Sequence, residues 1–503
     1  MTNLKEKTIR GGAARMFAQG VNFALRIGSL MILARLLDPK DFGILGMVTA
    51  FTGVLSLFRD FGLSSATVQR SKITKDQIST LFWINVLFGA VLALLTAASA
   101  PLLAAFYHEP RLTAVTLALA AGFLFNAAGV QHSAVLQREM RFTALAVINV
   151  AALLISSAVA IAGATIGYGY WSLVAMNVLS PVVTTLGLWG TSRWMPGAPR
   201  RCSGLRSMMR FGGTITLNTV VIYIASNFDK VLLGRFWGVE AIGIYGRAYQ
   251  LVNIPIENLN SAAGEVAFSA LSRLQGDLER LKNYFLKGYS LVLTLTLPIT
   301  IACALFADDV VLVFLGAKWK AAGMIFRLLA PMILVYAIAN PLSWLLSSIG
   351  LVGRNLKIAF FIAPSMIASY LIALPYGPKG VAFAYSSVML LWIVPLISWA
   401  LRDTVISPRD VFTSVSPLFV SGLVGGAVAI GAHLLYQDRL PPLLRLSIDC
   451  TTLLVTYAGM ILLVMRQKSF YSDILRGLKR PSPARTAGVG SLSNPEPVLT
   501  RVE

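Results

Sequence analysis

Four polar residues recur inside one apolar run of spanning length. Arg15, Gln19, Asn22 and Arg26 lie between Ala13 and Leu37 at steps of four, three and four, which stacks them on one helical face. A second stripe, Arg247, Gln250, Asn253, Glu257 and Asn260, occupies the apolar segment around Ile244 to Ala263. An ionisable group in hydrocarbon costs several kcal/mol, so such stripes face a wet internal cavity. Arg26, near the middle of its run, offers planar, permanently charged donors suited to a phosphate or pyrophosphate; the competing reading is a structural pair with a carboxylate on another helix. Asp229 and Lys230 sit deep in a further apolar run, with Asn218 three turns earlier on the face of Asp229. As chain neighbours the two charges point about 100° apart, so they do not simply neutralise each other. A buried carboxylate has its proton affinity raised by desolvation and lowered by cations, so Asp229 could hold a proton or Na⁺ or serve a structural ion pair. Glu257 competes for the ion-coupling role. Arg247, Gln250 and Asn253 join Arg15, Gln19, Asn22, Arg26 and Lys230 as candidate substrate-binding residues; for Arg247, as for Arg327, a place near the end of its run leaves snorkelling as the alternative, and Arg59-Asp60 is expected to form a local ion pair.

The elements that would position these groups follow from composition. The 503 residues are 56% hydrophobic and 13% charged, well outside the soluble globular range. Apolar runs of about 20 residues recur from end to end, which implies an all-α polytopic membrane protein of about 14 transmembrane helices. The short alternating segments of a β-barrel are missing. The net charge of +21 does not imply nucleic acid, because it is one-sided. With the N-terminus in the cytoplasm and alternating sides, about 30 of the Lys and Arg residues fall on cytoplasmic segments. The basic loops include Arg70-Lys72-Lys75, residues 138–141, Arg200-Arg201-Arg206 and residues 273–287. An even number of spans then places both termini in the cytoplasm. The first run is longer than a signal-peptide core and lacks a small-residue cleavage site, so it is expected to remain as a span.

The chain also repeats itself at an offset of 200. Arg10, Gly12, Val21, Leu33, Arg35, Gly43, Ile44 and Gly46 align without a gap on Arg210, Gly212, Val221, Leu233, Arg235, Gly243, Ile244 and Gly246. Six spans separate the copies, so they enter from the same side and are related by an axis along the membrane normal. Two six-helix lobes with a central cleft are expected: an N-lobe at 1–190 and a C-lobe at 210–401. They are joined by a basic linker at 191–209 and followed by two appended spans at 402–465. The basic tail at 466–503 is expected to be largely disordered, with an amphipathic helix on anionic lipid as an alternative for 466–480. Pro181, Pro255, Pro298, Pro341, Pro364 and Pro395 fall within spans and are expected to kink them. Gly422 and Gly426 have the spacing of a close helix contact.

No catalytic residues are expected. The sequence holds no G-x-S-x-G, no Walker loop, no H-E-x-x-H and no D-x-D. His108, His132 and His433 lie far apart, and Cys202, Cys303 and Cys450 have neither pairing nor metal spacing. No metal site and no cofactor is implied.

Several strings carry a family likeness: Asp60-Phe61-Gly62, Val68-Gln69-Arg70, Leu81-Phe82-Trp83-Ile84-Asn85-Val86, Leu136-Gln137-Arg138-Glu139-Met140-Arg141-Phe142, Lys318-Trp319 after Phe314, and Asn340-Pro341. In order and spacing they resemble the Wzx-type polysaccharide flippases of the multidrug/oligosaccharidyl-lipid/polysaccharide (MOP) exporter superfamily, in the branch of the colanic-acid exporter. The resemblance implies a V of two six-helix lobes in a bacterial inner membrane. It implies transfer of an undecaprenyl-pyrophosphate-linked repeat unit to the periplasmic leaflet, for exopolysaccharide or lipopolysaccharide assembly. Alternating access coupled to H⁺ or Na⁺ is implied too, with Arg26 and Lys230 meeting the anionic head group and Asp229 matching an acidic residue of the seventh span. Membrane lipids, a polysaccharide polymerase and a co-polymerase are the partners to expect. Two rivals stand beside it. A drug exporter of the same superfamily would favour a cavity of net negative charge, whereas Arg15, Arg26 and Lys230 make this one basic. A membrane polymerase or glycosyltransferase would need a large external loop or a sugar-nucleotide domain.

Overall fold

In a computed structural model, the structure describes residues 2–59, 64, 67–68, 73–199, 205–436 and 439–465; within these, side chains at 2–18, 205–222, 259, 261–263, 265 and 266 are not described. All regular structure among the described residues is helical. The N-terminal half comprises α1 (Thr2–Leu36), α2 (Pro39–Ser56), α3 (Lys75–Tyr107), α4 (Arg111–Arg138), α5 (Phe142–Ile166) and α6 (Tyr170–Ser192). The second half begins with α7 (Leu205–Arg273) and α8 (Leu278–Leu305). It continues with α9 (Ala307–Phe314), α10 (Lys320–Leu329), α11 (Pro331–Ser348), α12 (Val352–Ala373), α13 (Gly377–Leu391) and α14 (Ile393–Leu401). Two last helices, α15 (Pro408–Tyr436) and α16 (Pro442–Gly459), complete the chain.

Local chemistry sets the ends. Pro39 opens α2, where its missing N–H costs nothing, and Asp41 accepts the Asp38 N–H at 3.0 Å. Thr74 and Gln77 close a reciprocal capping box on α3, at 3.2 and 3.0 Å. Gly167, at φ 94°, ends α5 in the left-handed region. Pro331 separates α10 from α11, and Pro395, unable to donate to a carbonyl one turn earlier, stands just after the break between α13 and α14. Gly238, at φ 82° and ψ −172°, interrupts α7. The Tyr245 hydroxyl nevertheless donates to Asp229 Oδ2 at 2.6 Å. In a straight helix those residues would stand about 24 Å apart, so the chain doubles back at Gly238 and α7 is two antiparallel helices.

Nine stretches among the described residues are long and apolar enough to cross a membrane. One of them, Val352–Leu401, holds two spans in sequence, so ten of the expected spans are accounted for. We call the end bearing the turns at 37–38, 108–110, 167–169 and 238 distal, and the end where α1 begins proximal. Those turns gather together: the Arg235 guanidinium reaches His108 Nδ1 at 3.0 Å, and Trp237 donates to the Leu374 carbonyl at 2.8 Å.

The helices pack as two groups. α3 lies along α4, α5 along α6, and α1 on α5; α7 is joined by α8 and α10–α13. α2 bridges them by packing on α7. The segment at 193–199 folds back on the first group, where Trp83 Nε1 donates to Gly197 O at 2.8 Å and Gly197 N to Ser79 Oγ at 3.0 Å. α15 packs on α8 and α16 on α9. Gly422 and Gly426 let α15 approach Leu297, Ile301 and Leu305 of α8, so their spacing serves contact inside the protein. The basic tail after residue 465 lies outside the described residues.

Candidate functional site

The two copies of the repeat meet at the distal end. A Cβ on Gly43 would overlap the Val239 carbonyl, and one on Gly243 would overlap the Pro39 carbonyl. Since 239 is 39 plus the offset of 200, each glycine packs on the counterpart of its partner's neighbour, as two-fold symmetry requires. Lys40 and Glu240, also counterparts, pair at 3.6 Å. The seam continues into a core shared by both groups, with Leu30, Leu33 and Ala34 of α1 and Leu37 just after it among Leu232, Leu233, Tyr245 and Trp319.

Trp319 is fully buried; its ring meets Phe42 at 5.3 Å and its indole N–H donates to Ala34 O at 2.7 Å. Arg35 returns the favour to α9, donating to Val313 O at 2.8 Å, while Lys318 pairs with Asp38 at 2.8 Å. Each terminal helical carbonyl is thus capped by a side chain from the other half. The connection between α8 and α10 therefore folds as a clasp, which its sequence did not announce.

Below the seam the halves part. Arg26 continues the face of Leu30, Leu33 and Leu37 by one turn, yet it is exposed, with no hydrogen bond or ion pair from its side chain to any described residue. Gln19 is exposed and Asn22 half-buried on the same face. The facing stripe behaves alike: Leu251 and Val252 are buried, Asn253 is half-buried, and Gln250, Glu257 and Asn260 are exposed. A cleft therefore opens toward the proximal end. The side chains of Arg15 and Asn218 lie outside the described residues.

At the apex of this cleft the structure gathers Arg247, Lys230 and Asp229. Arg247 does not snorkel: it is half-buried, its guanidinium lies 4.3 Å from the Phe42 ring centre, and its Nε is buried without a hydrogen-bond acceptor. The competing pull of water at the surface is absent here because the distal seam covers it. Lys230 Nζ donates to Asn227 Oδ1 at 2.7 Å and stands 4.3 Å from the Tyr249 ring centre. Asp229 is fully buried; besides the Tyr245 hydroxyl it accepts the Lys230 N–H on Oδ1 at 2.7 Å. Tyrosines from three other helices close this side: Tyr336 and Tyr385 share a hydrogen bond at 3.1 Å, and Tyr370 lies 5.6 Å from Tyr385. Sequence reasoning missed this aromatic wall. Its only local trace is Tyr245 and Tyr249, one turn apart on the striped helix.

Arg327 is exposed and pairs with the exposed Asp308 at 2.8 Å. Arg59 donates to Asn126 Oδ1 at 3.2 Å, and Asp60 lies outside the described residues. Asp309, His433 and Asp449 bring ligand atoms within 4.8 Å of one another beside a polar cavity of about 310 Å³. Arg445 grips Asp309, however, and Asp449 accepts from Tyr436 at 2.5 Å and bonds His433 Nδ1 at 2.8 Å. With every carboxylate already engaged, this is a polar clasp fastening α15 and α16 to α9.

A two-lobed bundle of membrane-spanning helices with a basic cleft has the architecture of a membrane transporter. The family model described as "Polysaccharide biosynthesis protein" matches residues 32–323, more than half of the sequence, and the chain belongs to that family. It is 25% identical over 442 residues to the lipopolysaccharide biosynthesis protein WzxC of Escherichia coli, covering 84% of this chain and 88% of that one. It is 26% identical over 474 residues to the teichuronic acid biosynthesis protein TuaB of Bacillus subtilis, covering 91% and 94%. In fold it is similar to the lipid II flippase MurJ in an inward closed conformation, with a TM-score of 0.72 at 15% identity over 93% of this chain and 99% of that one. The likeness to Wzx-type proteins of the MOP superfamily, read from short strings, thus extends over most of the chain.

Proposed function

We propose that the protein turns an undecaprenyl-pyrophosphate-linked oligosaccharide from the cytoplasmic to the periplasmic leaflet by alternating access. The carrying observation is Arg247, a cation at the cleft apex whose buried Nε has no acceptor among the described residues. More than nine in ten buried donors are hydrogen-bonded, so such an orphan favours a ligand oxygen as its partner. Arg26, exposed and unpaired among the described residues, would meet the same anion lower in the cleft. The proximal opening corresponds to the cytoplasm when the basic loops face inward. Asp229 is the group best placed to bind a coupling H⁺ or Na⁺, being a fully buried carboxylate beside the substrate cations.

The test is polymer export in cells lacking their own flippase. Arg247→Ala should lower export at least about 10-fold, the worth of one charge-assisted hydrogen bond, while the protein stays in the membrane. Arg247→Lys should restore only part, since an ammonium lacks the forked donors. Normal export from Arg26→Ala/Arg247→Ala, expressed at wild-type level, would refute the assignment.

A further inference from the structure

One residue on the face of the first stripe is not polar. Phe23 lies four residues after Gln19 and three before Arg26, so it shares their side of the helix. The same side carries Leu30, Leu33 and Ala34, which are buried in the core common to both groups. Phe23 is nevertheless 39% exposed, because it stands below the seam, where the halves have parted. Its counterpart in the second copy behaves differently. Tyr223 presses its hydroxyl on α2, so close that a Cβ on Gly53 would overlap it. The position that symmetry pairs with Phe23 is 253, which holds Asn253 and not a glycine. An amide side chain thus stands where bare backbone would be needed, and Phe23 does not repeat the seal that Tyr223 makes.

We propose that Gln19, Asn22, Phe23 and Arg26 together read the sugar residue next to the pyrophosphate of the cargo, a hexose 1-phosphate unit. The inference deepens the transport reading above and rests on it. Each group suits one part of that unit. The Arg26 guanidinium, exposed and unpaired among the described residues, takes phosphate oxygens. The face of an aromatic ring carries partial negative charge and attracts the weakly positive C–H face of a pyranose, with dispersion adding to the contact. Amides donate and accept at once, as hydroxyls do, so Gln19, Asn22 and, from the facing stripe, Gln250 serve the sugar hydroxyls. From Gln19 to Arg26 the helix rises about 10 Å, short enough for these side chains to act on one sugar phosphate. Their order along α1 sets the orientation: phosphate toward the apex, where Arg247 continues the cationic path, and sugar toward the proximal mouth.

The test is equilibrium binding to the purified full chain in detergent micelles. Undecaprenyl pyrophosphate is one probe, and the same lipid bearing a single glucose or a single galactose supplies the others. The wild-type chain should bind at least one sugar-bearing lipid several-fold more tightly than the bare lipid. Phe23→Leu, which keeps an apolar side chain for any contact with the opposite wall, should bring that ratio close to one, and Phe23→Tyr should preserve it. Arg26→Ala should weaken the bare and sugar-bearing lipids alike and leave the ratio standing. Gln19→Ala, at an exposed position, should lower the ratio part of the way. A ratio near one in the wild-type chain, or an unchanged ratio in Phe23→Leu, overturns the inference while the flippase reading stands. Failure of the wild-type chain to bind any of these lipids sinks both.

Discussion

The first copy of the repeat, α1 with α2, and the second, the hairpin of α7, fold alike and face each other, yet they place their charges at different depths. Where the second copy has Asp229, Lys230, Tyr245 and Arg247, the first has Ser29, Leu30, Leu45 and Met47. The first copy's Arg26 lies lower, opposite in register to Ser226 of the second. One backbone plan thus supplies a greasy wall on one side of the apex and an ionic wall on the other. The lesson is that the symmetric positions make the contact between the copies, whereas the asymmetric ones carry the buried charge.

Erasing that difference is the strongest way to test it. Lys230→Leu, which installs the first copy's residue, removes an ammonium that neighbours the buried Asp229 but donates to Asn227 instead of pairing with it; the expected loss is at most about 3 kcal/mol of stability. Asp229→Ser/Lys230→Leu should recover much of it, because both charges go together. Thermal unfolding of the detergent-solubilised single and double variants measures the coupling, and strict additivity would show that the two charges do not act as a pair. A smaller effect is expected of Tyr245→Phe, which removes one hydroxyl donor from Asp229 and should cost about 1.5–3 kcal/mol in the same assay. An unshifted midpoint would mean that the 2.6 Å bond contributes nothing. The smallest change belongs to the symmetric part: Lys40→Gln should cost no more than about 1 kcal/mol, and the cost should fade in high salt. A larger, salt-independent loss would contradict the reading of Lys40–Glu240 as an exposed surface pair.

How much of this was legible in the chain follows the range of each interaction. The stripes at 15–26 and 247–260 are periodic within one helix, so spacing displayed them. The repeat was visible because Gly43, Ile44 and Gly46 return as Gly243, Ile244 and Gly246, although nothing in the alignment said that the copies touch. Asp229 stood out as a carboxylate in an apolar run. The Trp319 indole bond to Ala34, 285 residues away, and the Arg35 bond to Val313, 278 away, have no local signature. The same holds for the junction of Asp309, His433 and Asp449, whose members carry no metal-like spacing. For Arg247 the sequence left both a place in the stripe and a snorkelling alternative, because a position near a helix end suggests water, and only the opposing copy shows that Phe42 covers it.

Gly238 joins the two halves of the hairpin through a single residue, with no slack to absorb a displacement. Gly243 of the seam and Tyr245, the hydrogen-bond donor to Asp229, stand within one helical turn of each other on the same rod. Any tilt that unseats the glycine must tug on the phenol, and any ion that displaces the phenol must nudge the glycine. The hairpin therefore behaves as a stiff lever, with one arm braced at the distal seam and the other running to the proximal end.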